Sequence, residues 1–229
     1  MSNPAPLNTL SIWQRLWVFT CRFWIMVFFR LGLYRRKSAA HRKLFDKQYE
    51  GTPLSTYRTL AELATKMGSF QWKKDGLTEL WDAVCTAEKV EKVGFGNSSH
   101  GNDCDEEAIY LTTVIAKSLG LGIMKDKIQN PRFFTVMWYE PDKGSVSGHN
   151  VVLLQNITDK LENGLPIVRY SYMDYGMPSA QFDTVDEVAN LIRSNYAGWD
   201  STGHGTQPFV GLGWCIQDEA LNVVQRSWS

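Results

Sequence analysis

The stretch Gly101–Gly120, "GNDCDEEAIYLTTVIAKSLG", sets four acids around one cysteine and then runs into an apolar helix. Ala108, Leu111, Ile115 and Leu119 repeat at helical spacing, and Cys104 stands four residues before Ala108, on the same inward line. A thiol at a helix N-terminus meets the positive end of the helix dipole, which favours the thiolate. Asp103, Asp105, Glu106 and Glu107 suit a first helical turn by the same dipole, yet they oppose a thiolate. A nucleophile here therefore needs a cationic partner, and histidine is the usual one.

Downstream of this helix the hydrophobic period changes to two. "RFFTVMWYE" (Arg132–Glu140), "GHNVVLLQNI" (Gly148–Ile157) and "PIVRYSYMDYG" (Pro166–Gly176) read as three strands. Turn signals at Pro141–Gly144 and Asn163–Gly164 separate them. "TVDEVANLIRSNY" reads as a helix with a Thr184…Glu187 capping box, and "GTQPFVGLGWCIQ" as an edge strand. Upstream, "STYRTLAELATKMG" predicts a helix with Ser55 as N-cap and Gly68 as its stop. A second upstream helix would place Leu77, Leu80, Trp81, Val84 and Cys85 on one face, and the Gly/Asn/Ser loop from Gly94 follows it. Helices first and a strand meander second predict an α+β domain, with N-terminal helices on an antiparallel sheet.

The chain has 229 residues, enough for one medium domain and an appendage. Residues 1–50 carry nine Lys/Arg against two acids, and residues 51–229 carry fifteen against twenty-two, so a basic arm precedes an acidic body. Within Ser11–Tyr34, eight of twenty-four residues are aromatic, but Arg15, Arg22 and Arg30 limit the longest charge-free run to seven. That is too short for a membrane span, which needs roughly 18 apolar residues, and the same arginines break any secretory h-region. The three arginines cluster on one side of a helix, beside a wide aromatic face, which is the pattern of an amphipathic helix lying in a membrane interface. Arg35, Arg36, Lys37, Arg42 and Lys43 would then reach anionic headgroups. The equal alternative is packing of Ser11–Arg36 on the body or on a partner protein. No nucleic-acid motif accompanies the charge. The expected location is the cytoplasm or the inner face of a membrane, and a virion-borne protein would have the same sequence features. Cys21, Cys85, Cys104 and Cys215 are scattered, which suits a reducing compartment better than a disulfide framework.

Of His41, His100, His149 and His204, only His149 opens a strand, with Val151 and Leu153 on its own face. The third strand ends in Met173-Asp174-Tyr175-Gly176, and an aspartate there can fix the imidazole tautomer. Cys104, His149 and Asp174 follow one another at intervals of 45 and 25 residues. Asp183 and Asp159 are alternative third members. A zinc site drawn from Cys104, His149, His100 and His204 lacks the ligand spacing of a structural centre, and the acids at 103–107 lack the spacing of an EF-hand.

Gly101, Asp103, Cys104, Asp105, Glu106 and Ala108, followed by the apolar helix, resemble the core motif of the transglutaminase-like cysteine proteinase superfamily in its bacterial form. "GHNVVL" resembles that family's His strand, "YMDYG" its Asp segment, and "FQWKKD" (Phe70–Asp75) the aromatic stretch before the core. The likeness covers about residues 65–180; Asn102 is an insertion, and the tryptophan found near the Asp segment in many members is missing. The resemblance implies a papain-like core over residues 51–229 behind the arm at 1–50. It also implies amide acyl transfer on a protein or peptide substrate: Cys104 as nucleophile, His149 as base and acid, Asp174 as orienter. The Cys104 N–H, with Trp72 or Asn102, would form an oxyanion hole. No cofactor is expected, although some relatives use calcium. The rival expectation is a catalytically silent scaffold of the same fold that docks through its arm.

Overall fold

The computed structural model describes residues 7–68, 83–94, 103–198 and 208–228. Helices α1 (Ile12–Arg30) and α2 (Leu33–His41) form the arm; α3 (Leu60–Met67), α4 (Ala87–Val93) and α5 (Cys104–Gly120) follow. Strands β1 (Ile128–Glu140), β2 (Ser145–Glu162), β3 (Leu165–Asp174) and β4 (Met177–Pro178) lead to α6 (Val185–Tyr196), and β5 (Val210–Gln217) and β6 (Val223–Ser227) complete a six-stranded antiparallel sheet. The class is therefore α+β. The sheet order is β4-β3-β2-β1-β5-β6, so the tail strand β5 lies inside the sheet on β1, and β6 takes the edge position expected for it.

Side-chain alternation divides the core between the two faces of the sheet. Val152 and Leu154 pack with Tyr110, Leu111, Val114 and Ile115 of α5. Val151 and Leu153 point the other way, onto Val188, Ala189 and Ile192 of α6. The sheet is thus covered on both sides. At the break in pairing between Met137 and Trp138, buried Arg193 of α6 donates from Nε to the Met137 carbonyl (3.3 Å) and from Nη2 to that of Gly213 (2.8 Å). Peptide groups that leave the ladder keep a partner in this way.

Two helix starts differ from the sequence reading. Thr59, not Ser55, caps α3 by accepting the Glu62 N–H, while the Ser55 hydroxyl donates to Glu91 at 2.7 Å. Val84 and Cys85 are buried but not helical; α4 begins at Ala87 behind Thr86, and residues 77–81 lie outside the described residues. The Thr184–Glu187 capping box forms as expected.

The arm is built into the body. Val18, Cys21, Phe29 and Tyr34 share one apolar cluster with Phe133, Met137, Leu212 and Cys215. Of the α1 arginines, Arg22 reaches the body and donates to the Gly211 carbonyl at 2.8 Å, whereas Arg15 and Arg30 are exposed, Arg15 folding back onto the carbonyls of Asn8 and Leu10. Arg42 likewise turns to the Val84 carbonyl at 3.1 Å, and Arg35 to Asn222. These four cations have backbone or side-chain acceptors within the protein itself. Ile12, Trp13, Leu16, Trp17 and Phe19 face outward and are exposed. No single helix among the described residues is long and apolar enough to cross a membrane; Ile12–Arg30 and Leu33–Tyr49, bent by 57°, meet that test only as a pair.

Candidate active site

The site begins with a helix cap. Asp103 accepts the Asp105 N–H at 2.9 Å, and the Glu106 carboxylate turns back to accept the Asp103 N–H at 3.2 Å. This capping box makes Cys104 the first residue of α5, where helix N–H groups have no intrahelical acceptor. Cys104 is half-buried, while Cys21, Cys85 and Cys215 are buried. Burial pushes the Cys215 thiol up to about 12 and raises Cys21 and Cys85 as well.

The acids around Cys104 are engaged one by one. Asp105 accepts from Asn150 Nδ2 at 2.8 Å, Glu106 closes the capping box, and Glu107 accepts the Gly176 N–H at 3.2 Å. Burial holds the Glu107 carboxyl well above the usual carboxylate range. The nearby Asp174 charge pushes the same way, and the N–H groups of Gly176 and Tyr175 oppose both. Glu107 is therefore an acid kept toward its neutral form.

His149 and Asp174 meet directly. His149 Nε2 lies 3.0 Å from each Asp174 oxygen, and both side chains are buried. Tyr196, the last residue of α6, donates its hydroxyl to Asp174 and stacks on the imidazole, with centroids 3.9 Å apart and planes at 29°. With Nε2 turned to the carboxylate, Nδ1 is the nitrogen left for a proton from elsewhere. The backbone turns sharply after Asp174: Tyr175 has φ 46° and Gly176 φ 75°. A Cβ at Gly176 would stand 2.6 Å from Cβ of Met67. Burial raises the Tyr175 hydroxyl, and the nearness of Cys104 and then Asp174 raises it further, so this ring lies within electrostatic reach of both.

The thiol and the imidazole approach from opposite faces of the sheet. His149 belongs to the α6 face and Asn150 to the α5 face, and Asn150 Nδ2 donates to Cys104 Sγ at 3.8 Å. Cys104 Sγ also lies 3.9 Å from Asp105 Oδ1. Thr135 fixes the Asn150 amide by donating to its Oδ1 at 2.7 Å. The two faces come together at the sheet end. β3 stops at Asp174, opposite the middle of β2, and Gly148, His149 and Asn150 form a rim. Cys104 and His149 both line one cleft of about 750 Å³ there. Its other wall is the arm, through Trp24, Val27, Phe28, Leu31 and Leu33.

The remaining candidates fall elsewhere. Asp183 is exposed and pairs with Arg169 at 3.0 Å. Asp159 lies ten residues further along β2 than His149, a separation of about 30 Å at strand rise. His41 is beside Asp46 and Phe45 of the arm. Trp72, His100, Asn102 and His204 lie outside the described residues. Asp103, Cys104 and Asp105 offer three metal-ligating atoms within 4.8 Å of one another. Both carboxylates also accept protein N–H groups, through the helix cap and Asn150. Asn150, Tyr175, Tyr196 and Glu107 are the neighbours that the sequence did not single out for the site. No protein-family model, curated protein or solved structure matches the chain.

Proposed function

We propose that the protein is a cysteine-dependent acyl hydrolase or acyl transferase of the transglutaminase-like, papain-like type, acting through a thioester on an amide or related carboxyl derivative. The observation that carries this reading is the half-buried thiol at the start of α5, opening on the same cleft as an imidazole already bonded to a carboxylate. In this reading His149 Nδ1 takes the Cys104 proton, and the thiolate attacks the carbonyl carbon. The C–S bond forms, the bond to the leaving group breaks, and the imidazolium returns its proton to the leaving atom. Water then resolves the thioester and makes the protein a protease or amidase; an amine would make it a cross-linker. Asp174 holds Nε2–H and the tautomer, and Tyr196 holds Asp174. The Cys104 N–H and the Asn150 amide, which already points at Sγ, serve as oxyanion donors. Catalytic hydrogen bonds are often long before substrate binds, so the thiol–imidazole bond is expected to form in the substrate complex.

The second reading is a silent scaffold. It is favoured by one observation: Asn150 Nδ2 and Asp105 Oδ1 both lie against Sγ, at 3.8 and 3.9 Å. The outward aromatic face of α1 would then be the working surface, against a membrane or a partner protein on the cytoplasmic side. Acetylation by p-nitrophenyl acetate, followed by peptide mapping, separates the two. The enzyme reading expects the acetyl group on Cys104 in wild type and its loss in His149→Ala. Equal labelling in the two proteins would favour the scaffold.

A further inference from the structure

The cleft has two unlike walls. One presents Cys104, His149 and Asn150; the other is the apolar inner side of the arm. An extended peptide is normally held by backbone N–H and C=O groups, and most of those in the arm wall are engaged within α1 and α2, the first N–H groups of α2 at Leu33 and Tyr34 excepted. That wall therefore offers mostly apolar side chains, with Tyr34 and Lys37 as its polar members. It is also preformed, because Arg22, Arg42 and the shared core pin the arm to the body. Trp24 and Leu31 line the cleft while remaining 62% and 56% exposed, so the apolar wall continues to an open mouth. A volume of about 750 Å³ lies within the range of small-ligand sites.

Resting on the nucleophile reading of Cys104, we propose that this cleft is an acyl-chain site: the substrate is an ester, thioester or amide whose scissile carbonyl carries a linear apolar chain laid along α1 and α2. Cys104 Sγ bonds to that carbonyl carbon, and the leaving group departs with the proton carried by His149. The chain stays in the cleft as a thioester, and water releases it as the free acid with return of the thiol.

The test uses the full chain with p-nitrophenyl acetate, butyrate, hexanoate and octanoate, reading nitrophenolate release and the mass of the acyl-protein. Iodoacetamide alkylation of Cys104 is followed in parallel. A buried methylene is worth up to about fourfold. Acylation of Cys104 by octanoate is therefore expected to exceed that by acetate about tenfold or more in kcat/KM. Trp24→Ala and Val27→Ser are each expected to cut the octanoate-to-acetate ratio at least about threefold. A ratio near one, or a high ratio untouched by both substitutions, overturns the acyl site while acylation itself leaves the nucleophile standing. A Cys104 inert to iodoacetamide and to every ester overturns the nucleophile, and the acyl site with it.

Discussion

Residues 149 and 150 show how one step along a strand divides the site. His149 turns to Asp174 and Tyr196, and Asn150 turns to Cys104 and Asp105. Cys104, His149 and Asp174 were legible because their residue types, order and element ends carry chemical meaning. Asn150 was not, since an asparagine beside a candidate histidine has no signature until the alternation is known. Tyr196 becomes visible only once α6 is seen to cross the far face. Asn150→Ala is expected to slow acylation of Cys104 about 10²–10³-fold, the usual cost of losing one oxyanion donor, read by nitrophenolate release. Glu107 gives a test of stability. Its raised carboxyl means that the folded state holds the proton more tightly than the unfolded chain, whose Glu titrates near about 4.3. Stability from this group is therefore full below that value and declines as pH rises through the folded value. Glu107→Gln keeps an oxygen for the Gly176 N–H, and it is expected to flatten the fall in melting temperature as pH rises above about 4.3. An unchanged slope would place the raised titration elsewhere.

At the scale of elements, period and turn chemistry read well. The β1–β2 and β2–β3 turns fall where Pro141–Gly144 and Asn163-Gly164 predict them, and Asn163 and Gly164 both take positive φ. What alternation cannot say is which later element covers the second face; α6 fills it after the meander, and β5 then enters beside β1. The cap of α3 was misread because Ser55 and Thr59 are both good caps, and Glu91 of α4 engages the serine. The turn after Asp174 is where an element sets the site. Gly176→Ala adds a Cβ in a left-handed conformation and against Met67. It is expected to cost roughly 2–3 kcal/mol in urea unfolding, from strain and overpacking together. It is also expected to slow acylation of Cys104 by displacing Asp174. A loss of stability with an unaltered rate would detach this turn from catalysis.

For the whole molecule, the charge split between residues 1–50 and the rest suggests an arm with neighbours of its own, yet the arm completes the core and walls the cleft. Helical periodicity located the arginine stripe correctly. It could not tell that Arg22 would satisfy a sheet carbonyl, because that acceptor lies 189 residues away. Phe29 is buried against Tyr34 and Trp228. Phe29→Ala is expected to cost about 3–5 kcal/mol of global stability; a detachable arm would lose next to nothing. The central claim is that the two faces of the sheet cooperate, His149 from one side activating Cys104 from the other. The most direct measurement is iodoacetamide alkylation of each cysteine against pH, by mass spectrometry, in wild type and His149→Ala. Cys104 is expected to react fastest and to titrate well below about 8.5, with Cys21, Cys85 and Cys215 slow. His149→Ala is expected to return Cys104 to an ordinary thiol. A Cys104 that titrates alike in both proteins, or reacts no faster than the buried three, would contradict it.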